Sequence, residues 1–290
     1  MISCDVPPVS SKVLKKLDTI ISGARDIRLY DSLYSDFYSR HYSINTIEDF
    51  KRLPMMDDRS LSKARLSDTV RNPNDISETR YPLDGERNAS GMLRVLNFDD
   101  MLMEYSVLDF LLDSIGCIGS QTAMILTDER HNYSMSEFAK EVAFLHEKMC
   151  AFVVRDHSSK ELRHELEIFN PTLVISYAGS IKPKEILPDS VKYFVTVNTQ
   201  SPVDSNIDSD SFRSYDIFKH PMMGMIGVMD RKKGFFEFDP MQFYIENVDS
   251  NLVFTSMIQN LQPMIRYSTG DKGTVFDKNK FVVEARGDYL

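Results

Sequence analysis

Residues 122–198 alternate short apolar segments with helix-like segments, and this alternation limits the fold more than any other feature. The apolar segments have the length of strands and read TAMILT, AFVVRD, TLVISY and KYFVTV. Capping boxes at Ser134 with Glu137 and at Ser158 with Glu161 predict the starts of intervening helices. Apolar strands that alternate with helices form parallel sheets through right-handed crossovers. We therefore predict an α/β fold with a doubly wound, mostly parallel sheet.

The rest of the chain divides into a helical beginning and a strand-rich end. Residues 1–80 have mostly helical patterns, and Ser10 or Ser11 is expected to cap the first helix. The last part has short spacers, which favour antiparallel hairpins. Its strand-like segments are FRSYDI, GMIGVM, GFFEF, FYIENV, NLVFTSM, PMIRYS, GTVFD and KFVVEA. We expect a helical part plus the α/β sheet over 1–211, and a distorted antiparallel β-barrel or sheet over 212–290.

Charge and cysteine content exclude several classes of partner. The chain has 34 basic and 43 acidic residues and a formal net charge of -9, so we expect no nucleic-acid partner. The run Arg231-Lys232-Lys233-Gly234 is typical of a solvated turn. No apolar run is long enough to span a membrane, and the amino terminus lacks an export signal. Three cysteines without CxxC spacing favour a reducing cytoplasm over disulfides or a zinc site.

The polar segment Ser268–Gly273 interrupts two strand-like pieces late in the chain. Gly270 and Gly273 are expected to let the backbone bend tightly and to present Asp271 between them. An ionised carboxylate accepts two hydrogen bonds at once, which suits the neighbouring hydroxyls of a ribose. The alternative is that Asp271 only caps a hairpin turn.

The wider context of this segment resembles a known family. VFTSMIQNLQPMIRYSTGDKG resembles the ribose-binding segment of adenylate-forming ligases, the superfamily of acyl-CoA synthetases and adenylation domains. Three further pieces are similar to motifs of its phenylacetate-CoA ligase branch, in the same order: TIEDFKRLPMMDDRSLSKA, FEFDPMQFYIENVD and VVEARGDYL. The resemblance implies the large domain of these enzymes. It also implies that Asp271, with Thr269 in the same motif, binds the ribose of ATP or AMP, and that Arg286 assists near the ribose and phosphate.

Two nucleotide-binding motifs depart from the family pattern. The phosphate loop is replaced by PLDGERNASGMLR, in which only Ser90-Gly91 resembles it, although Arg87 and Arg94 are candidates to replace part of its contacts. The motif whose aromatic ring stacks on adenine and whose glutamate helps to hold magnesium corresponds to FRSYDIFKHPMMGMIG. One alignment places Tyr215 at the aromatic position and the other places Phe218 there.

Neither alignment supplies the glutamate that would help to hold magnesium. The first puts Lys219 there and the second Met222, so Asp216 is the nearest substitute and magnesium is doubtful. No other metal site is predicted, because His157 and His164 lack a third ligand. Tyr177 and Gly179 follow a predicted parallel strand, where ligands gather in open sheets. They are candidates for the substrate pocket, and the alternative is that they simply end the strand.

Two functions fit these residues. The first is a divergent ligase that activates a small carboxylic acid with ATP to an acyl-adenylate, for transfer to CoA, a carrier protein or an amine. The family's lysine-bearing lid domain is expected to be absent, because the sequence ends two residues after the hinge candidate Asp288. A separately supplied lid is therefore a possible partner. The alternative is a catalytically incomplete relative that binds a nucleotide, an acyl ligand or a protein.

Overall fold

The computed structural model describes residues 9–40, 43–80, 93–117, 122–127, 150–154, 159–177, 183–198 and 211–285. The helices in these ranges are α1 (Ser11–Ala24), α2 (Arg28–Leu33), α3 (Ser35–Ser39), α4 (Ile47–Lys51), α5 (Asp58–Lys63), α6 (Leu66–Thr69), α7 (Phe98–Ser114), α8 (Ser159–Phe169) and α9 (Pro183–Ile186), with a 3-10 turn at Pro73–Asp75. The strands are β1 (Met56–Asp57), β2 (Glu78–Arg80), β3 (Arg94–Leu96), β4 (Ala123–Thr127), β5 (Cys150–Val154), β6 (Leu173–Tyr177), β7 (Tyr193–Asn198), β8 (Arg213–His220), β9 (Gly224–Asp230), β10 (Phe235–Glu237), β11 (Phe243–Val248), β12 (Asn251–Ser256), β13 (Tyr267–Asp277) and β14 (Lys280–Ala285).

The amino-terminal helices begin where side-chain caps satisfy their first backbone N–H groups. Ser10 caps α1 by accepting a hydrogen bond from the Val13 N–H, which confirms one of the two predicted caps. Thr46 and Asp49 form a capping box on α4. These short helices are held mainly by their buried faces, since short isolated helices are only marginally stable in water.

One sheet of twelve strands runs through the described residues, and it confirms the predicted α/β class. Its order is β11-β12-β13-β14-β10-β9-β8-β7-β6-β4-β5, with β1 paired to β13. Strands β4 to β8 are parallel to their neighbours, and the later strands are antiparallel. The strand direction therefore changes between β8 and β9. This is one strand later than the sequence pattern indicates, because β8 pairs in parallel with β7.

The segment around Asp271 differs from the prediction of two strands separated by a bend. Residues 267–277 form one strand, β13, and Arg266 before it has a left-handed φ of 47°. Burial alternates along the strand, so Thr269, Asp271 and Gly273 face inward although they belong to the polar segment. Gly270 adopts a φ of 75° within the register shift between β12 and β13, so the strand continues through the polar segment.

A single large cluster of buried side chains joins the amino-terminal helices to both parts of the sheet. Its centre is aromatic: the ring of Phe218 lies 5.5 to 5.8 Å from the rings of Phe236, Phe254 and Phe281. Among the described residues, no helix combines the length and the apolar content needed to cross a membrane.

Candidate functional site

The inward face of β13 carries two of the predicted nucleotide-binding residues, Thr269 and Asp271. Asp271 is fully buried, and its backbone N–H donates a hydrogen bond to the Thr269 hydroxyl at 3.2 Å. The same hydroxyl donates to the Leu252 carbonyl of β12 at 3.5 Å. The structure thus brings Thr269 and Asp271 together and turns the carboxylate into the protein rather than toward open solvent.

Asp58 and Tyr267 belong to the same site, and the sequence analysis did not identify them as site residues. The phenol of Tyr267 donates a hydrogen bond to the Asp58 carboxylate. Burial of Asp58, followed by the charges of Asp57 and Asp271, raises the pKa of Asp58 to about 6. The amino-terminal segment reaches this place because β1 pairs in parallel with β13, Met56 opposite Tyr267.

A histidine from β8 completes the surroundings of Tyr267. The ring of His220 meets the ring of Tyr267 edge to face, with centroids 5.4 Å apart, and is almost fully buried. The Nδ1 atom of His220 accepts a hydrogen bond from the Met222 N–H at 3.2 Å, which orients the imidazole. The segment that resembles the adenine-binding motif therefore packs against the strand that carries Asp271.

The two candidates for adenine stacking, Tyr215 and Phe218, are both buried. Tyr215 donates a hydrogen bond to the Ile115 carbonyl at 3.4 Å, and burial raises the pKa of its phenol. Phe218 lies within the aromatic centre of the core. Each ring already packs inside the protein, so a stacking role for either one stays a prediction.

Asp216, the nearest substitute for the missing magnesium ligand, forms an ion pair instead. Its carboxylate accepts hydrogen bonds from the Thr196 hydroxyl and from Nη2 of Arg231, both at 2.6 Å, and it is fully buried. The prediction of a solvated turn at 231–234 is accordingly wrong for Arg231, whose side chain is 7% exposed. In the part of the chain that the structure describes, no group of three or more His, Cys, Asp or Glu side chains is arranged to hold a metal ion.

Arg94, proposed above to replace part of the phosphate loop, lies in the core. Its guanidinium pairs with Glu104 of α7, and both side chains are at most 5% exposed. A Cβ atom at Gly224 would lie 2.9 Å from Nη2 of Arg94, so the β8–β9 turn packs directly on this ion pair. The prediction that Arg94 contacts phosphate is therefore wrong for this structure, because its guanidinium forms a buried ion pair with the Glu104 carboxylate.

The remaining predicted residues lie at or beyond the limits of the described ranges. Ser90, Gly91, Gly179 and Arg286 are outside the described residues. Tyr177 is the last residue of β6, where its backbone pairs with Val197 of β7.

Comparison with solved structures identifies the fold. A 2-hydroxyisobutyryl-CoA ligase, in an open conformation with 2-HIB-AMP and CoA, aligns with 99% of this chain and 75% of its own at a TM-score of 0.76 and 13% identity. The same ligase in a postadenylation state aligns with 98% of this chain and 69% of its own. The TM-score of this alignment is 0.75 and the sequence identity is 13%. An o-succinylbenzoate coenzyme A synthetase from Bacillus subtilis, with ATP and magnesium ion, aligns with 70% of this chain and 49% of its own. The TM-score is 0.50 and the sequence identity is 11%.

No protein-family model matches the sequence, and no curated protein matches it. At 13% identity the likeness to the ligase structures shows the fold, which is that of the large domain of adenylate-forming enzymes.

Proposed function

We propose that this chain is a divergent adenylate-forming ligase of the phenylacetate-CoA ligase-like branch. It activates a small carboxylic acid with ATP to an acyl-adenylate, which is then transferred to a thiol or an amine. The observation that carries the proposal is the buried carboxylate of Asp271 on β13, within a fold shared with CoA ligases solved with an acyl-AMP. The acceptor is CoA, a carrier protein or an amine, and the location is the reducing cytoplasm.

Asp271 has the role of accepting hydrogen bonds from the ribose hydroxyls. A carboxylate inside a protein is a strong acceptor because water does not compete for it. Asp271 is fully buried in the structure, whereas its neighbours Gly270 and Lys272 are exposed. Ribose contact therefore needs a local opening beside β13, next to the exposed Gly270.

The other predicted residues complete the proposed site. Tyr215 or Phe218 is assigned to adenine, and Arg286 to the ribose and phosphate. Ser90 and Gly91 are assigned to the phosphates. Tyr177 and Gly179 are assigned to the acid. Magnesium does not fit the described residues, because Asp216 is bonded to Arg231, and the proposal uses no step through a metal.

A second candidate function is a binding module without turnover. Two buried ion pairs favour it, Arg94 with Glu104 and Asp216 with Arg231. Arg94 was the candidate for phosphate binding and Asp216 the candidate for magnesium binding, and each is already paired with another side chain. Removing one partner of such a pair is costly, so these charges are not readily available for a ligand. Both candidates share the nucleotide site at Asp271 and differ in catalysis.

Ligand-induced stabilisation tests the nucleotide site. A ligand at a hundredfold excess over its dissociation constant stabilises the folded state by about 2.7 kcal/mol. We expect AMP and ATP to raise the melting temperature of the wild type, and Asp271→Ala to abolish this rise. Asp271→Asn is a near-isosteric second variant if the alanine variant folds poorly. Asp277→Ala is the matched control, since Asp277 is a partly exposed aspartate on the same strand. An equal rise in Asp271→Ala and the wild type would refute the ribose assignment.

Exchange of pyrophosphate into ATP separates the two candidates. The ligase is expected to support exchange with at least one aromatic or short aliphatic acid, alone or with a separately supplied lid domain. Nucleotide binding without exchange across a broad panel of acids, in both conditions, would favour the binding module.

A further inference from the structure

Asp58 lies against the face of β13 that bears Asp271. The pairing of β1 with β13 sets Asp57 opposite Ser268, so α5 starts beside this strand. Tyr267, Thr269 and Asp271 are its alternate, inward-facing residues. The hydrogen bond from the Tyr267 phenol holds Asp58 at the same face, on a helix whose cap is Asp57.

Burial and two neighbouring carboxylates favour the protonated form of Asp58, whereas the hydrogen bond from Tyr267 favours its ionised form. The charges of Asp57, on its own segment, and of Asp271, on β13, both act on Asp58. The Tyr267 side chain contacts both Asp58 and the ring of His220 on β8. Two neighbouring carboxylates resist being ionised together, and burial strengthens their repulsion. Asp58 therefore holds its proton more readily than an isolated aspartate would.

We propose that Asp58 is a positioning residue that couples nucleotide binding at Asp271 to the uptake of a proton. Protonated Asp58 still accepts the Tyr267 hydrogen bond through its carbonyl oxygen and places no negative charge beside Asp271. Asp271 then accepts hydrogen bonds from both ribose hydroxyls without a charged Asp58 beside it. A bound ribose excludes water from the partly exposed Asp58 carboxylate, which raises the pKa of Asp58 further. This inference rests on the proposed nucleotide site.

Adenosine is the suitable probe, because the second pKa of a phosphate ester is about 6 and AMP would titrate in the same range. Calorimetry in two buffers of different ionisation enthalpy counts the protons taken up on binding. With one pKa unit of coupling, we expect the wild type to take up about half a proton near pH 6.5 and to bind adenosine about sixfold more tightly at pH 5.5 than at pH 7.5.

Asp58→Asn keeps an oxygen for Tyr267 and removes the titration, so we expect less than about a twofold pH effect on its adenosine affinity. Tyr267→Phe removes a donor to the carboxylate, so its pH profile is expected to move to higher pH. Asp277→Asn should keep the wild-type proton uptake. The coupling is wrong if wild-type binding takes up no proton, or if Asp58→Asn takes up as much as the wild type.

Ligand-free unfolding distinguishes failure of this inference from failure of the nucleotide site. The pKa of Asp58 is raised from 3.8 in a free side chain to about 6 in the folded protein, so its contribution to stability is full below about pH 4. That contribution is lost as the pH rises through about 6, and Asp58→Asn should remove this loss from urea-unfolding curves. If adenosine and AMP bind to no variant, the nucleotide site and the coupling both fail. If adenosine binds with pH-independent affinity, only the coupling fails.

Discussion

At the scale of single residues, Gly273 shows why the inward face of β13 admits so little variation. A Cβ atom at this position would lie 2.0 Å from the Val282 carbonyl oxygen of β14 and 2.8 Å from Cδ1 of Leu252. The Gly273 N–H donates to the Ser250 carbonyl at 3.1 Å, and its own carbonyl accepts from the Asn247 side chain at 2.7 Å. Glycine is needed here for close backbone approach, two residues from Asp271, rather than for a bend.

Gly273→Ala is therefore expected to destabilise the protein by about 3 kcal/mol or more, because a backbone oxygen must move to admit the methyl group. Gly234→Ala is the matched control. Gly234 has a φ of 74° and no atom within 4 Å of an added Cβ, so it should lose only about 1 kcal/mol through backbone strain. Urea denaturation measures both, and equal losses would contradict the steric argument.

At the scale of elements, Arg266 fastens the amino-terminal segment to the sheet. Its Nε donates to Glu246 of β11 at 2.7 Å, and its Nη1 donates to the carbonyls of Lys51 and Leu53. Its backbone carbonyl accepts from the Met56 N–H at 3.0 Å, at the start of β1. One buried side chain thus sets the place from which β1 and α5 reach the strand of Asp271.

Arg266→Met is expected to cost about 3–5 kcal/mol, because it leaves Glu246 buried without its charge partner. The double variant with Glu246→Met should recover part of this loss, since both charges are then gone. Lys280→Ala, which breaks the partly exposed pair with Asp277, should cost less than about 1 kcal/mol. Unfolding in urea gives all three values. If Arg266→Met lowered the free energy of unfolding no more than Lys280→Ala, Arg266 would not be the residue that holds the amino-terminal segment to the sheet.

At the scale of the whole molecule, the amino-terminal helices and the sheet share one core. Phe50 of α4 is fully buried against Tyr244 of β11, with ring centroids 5.3 Å apart, and Phe281 of β14 lies in the same cluster. The sheet also crosses from the parallel to the antiparallel strands without a break. A shared core and a continuous sheet favour cooperative unfolding.

We expect a single unfolding transition. Phe50→Ala and Phe281→Ala should each lower the free energy of unfolding by about 3–5 kcal/mol. The chain has no tryptophan, so far-ultraviolet and tyrosine near-ultraviolet circular dichroism are the measurements. Ile168→Ala, at a residue 72% exposed, should change stability by no more than about 0.5 kcal/mol. A separate early transition in Phe50→Ala would show instead that the helical part unfolds independently.

Local patterns were enough to predict most of the described strands and much of the fold class. The alternation over 122–198 predicted the parallel strands, and the bounds of β11 and β14 coincide with the segments FYIENV and KFVVEA. The cap at Ser10 was readable as well. These features depend on residues a few positions apart. The polarity and spacing of such residues indicate whether a position faces water, the core or a helix end.

The sequence by itself thus determined where most of the described strands form, and it singled out Asp271 as a candidate ligand residue. Only the tertiary structure decided the surroundings of that residue. Asp58 and Tyr267 are 209 positions apart, and the buried partners of Arg94, Arg231 and Arg266 come from other elements. The residue type alone does not show whether water or a distant ion-pair partner stabilises a charged side chain. Only the folded structure shows which of the two applies.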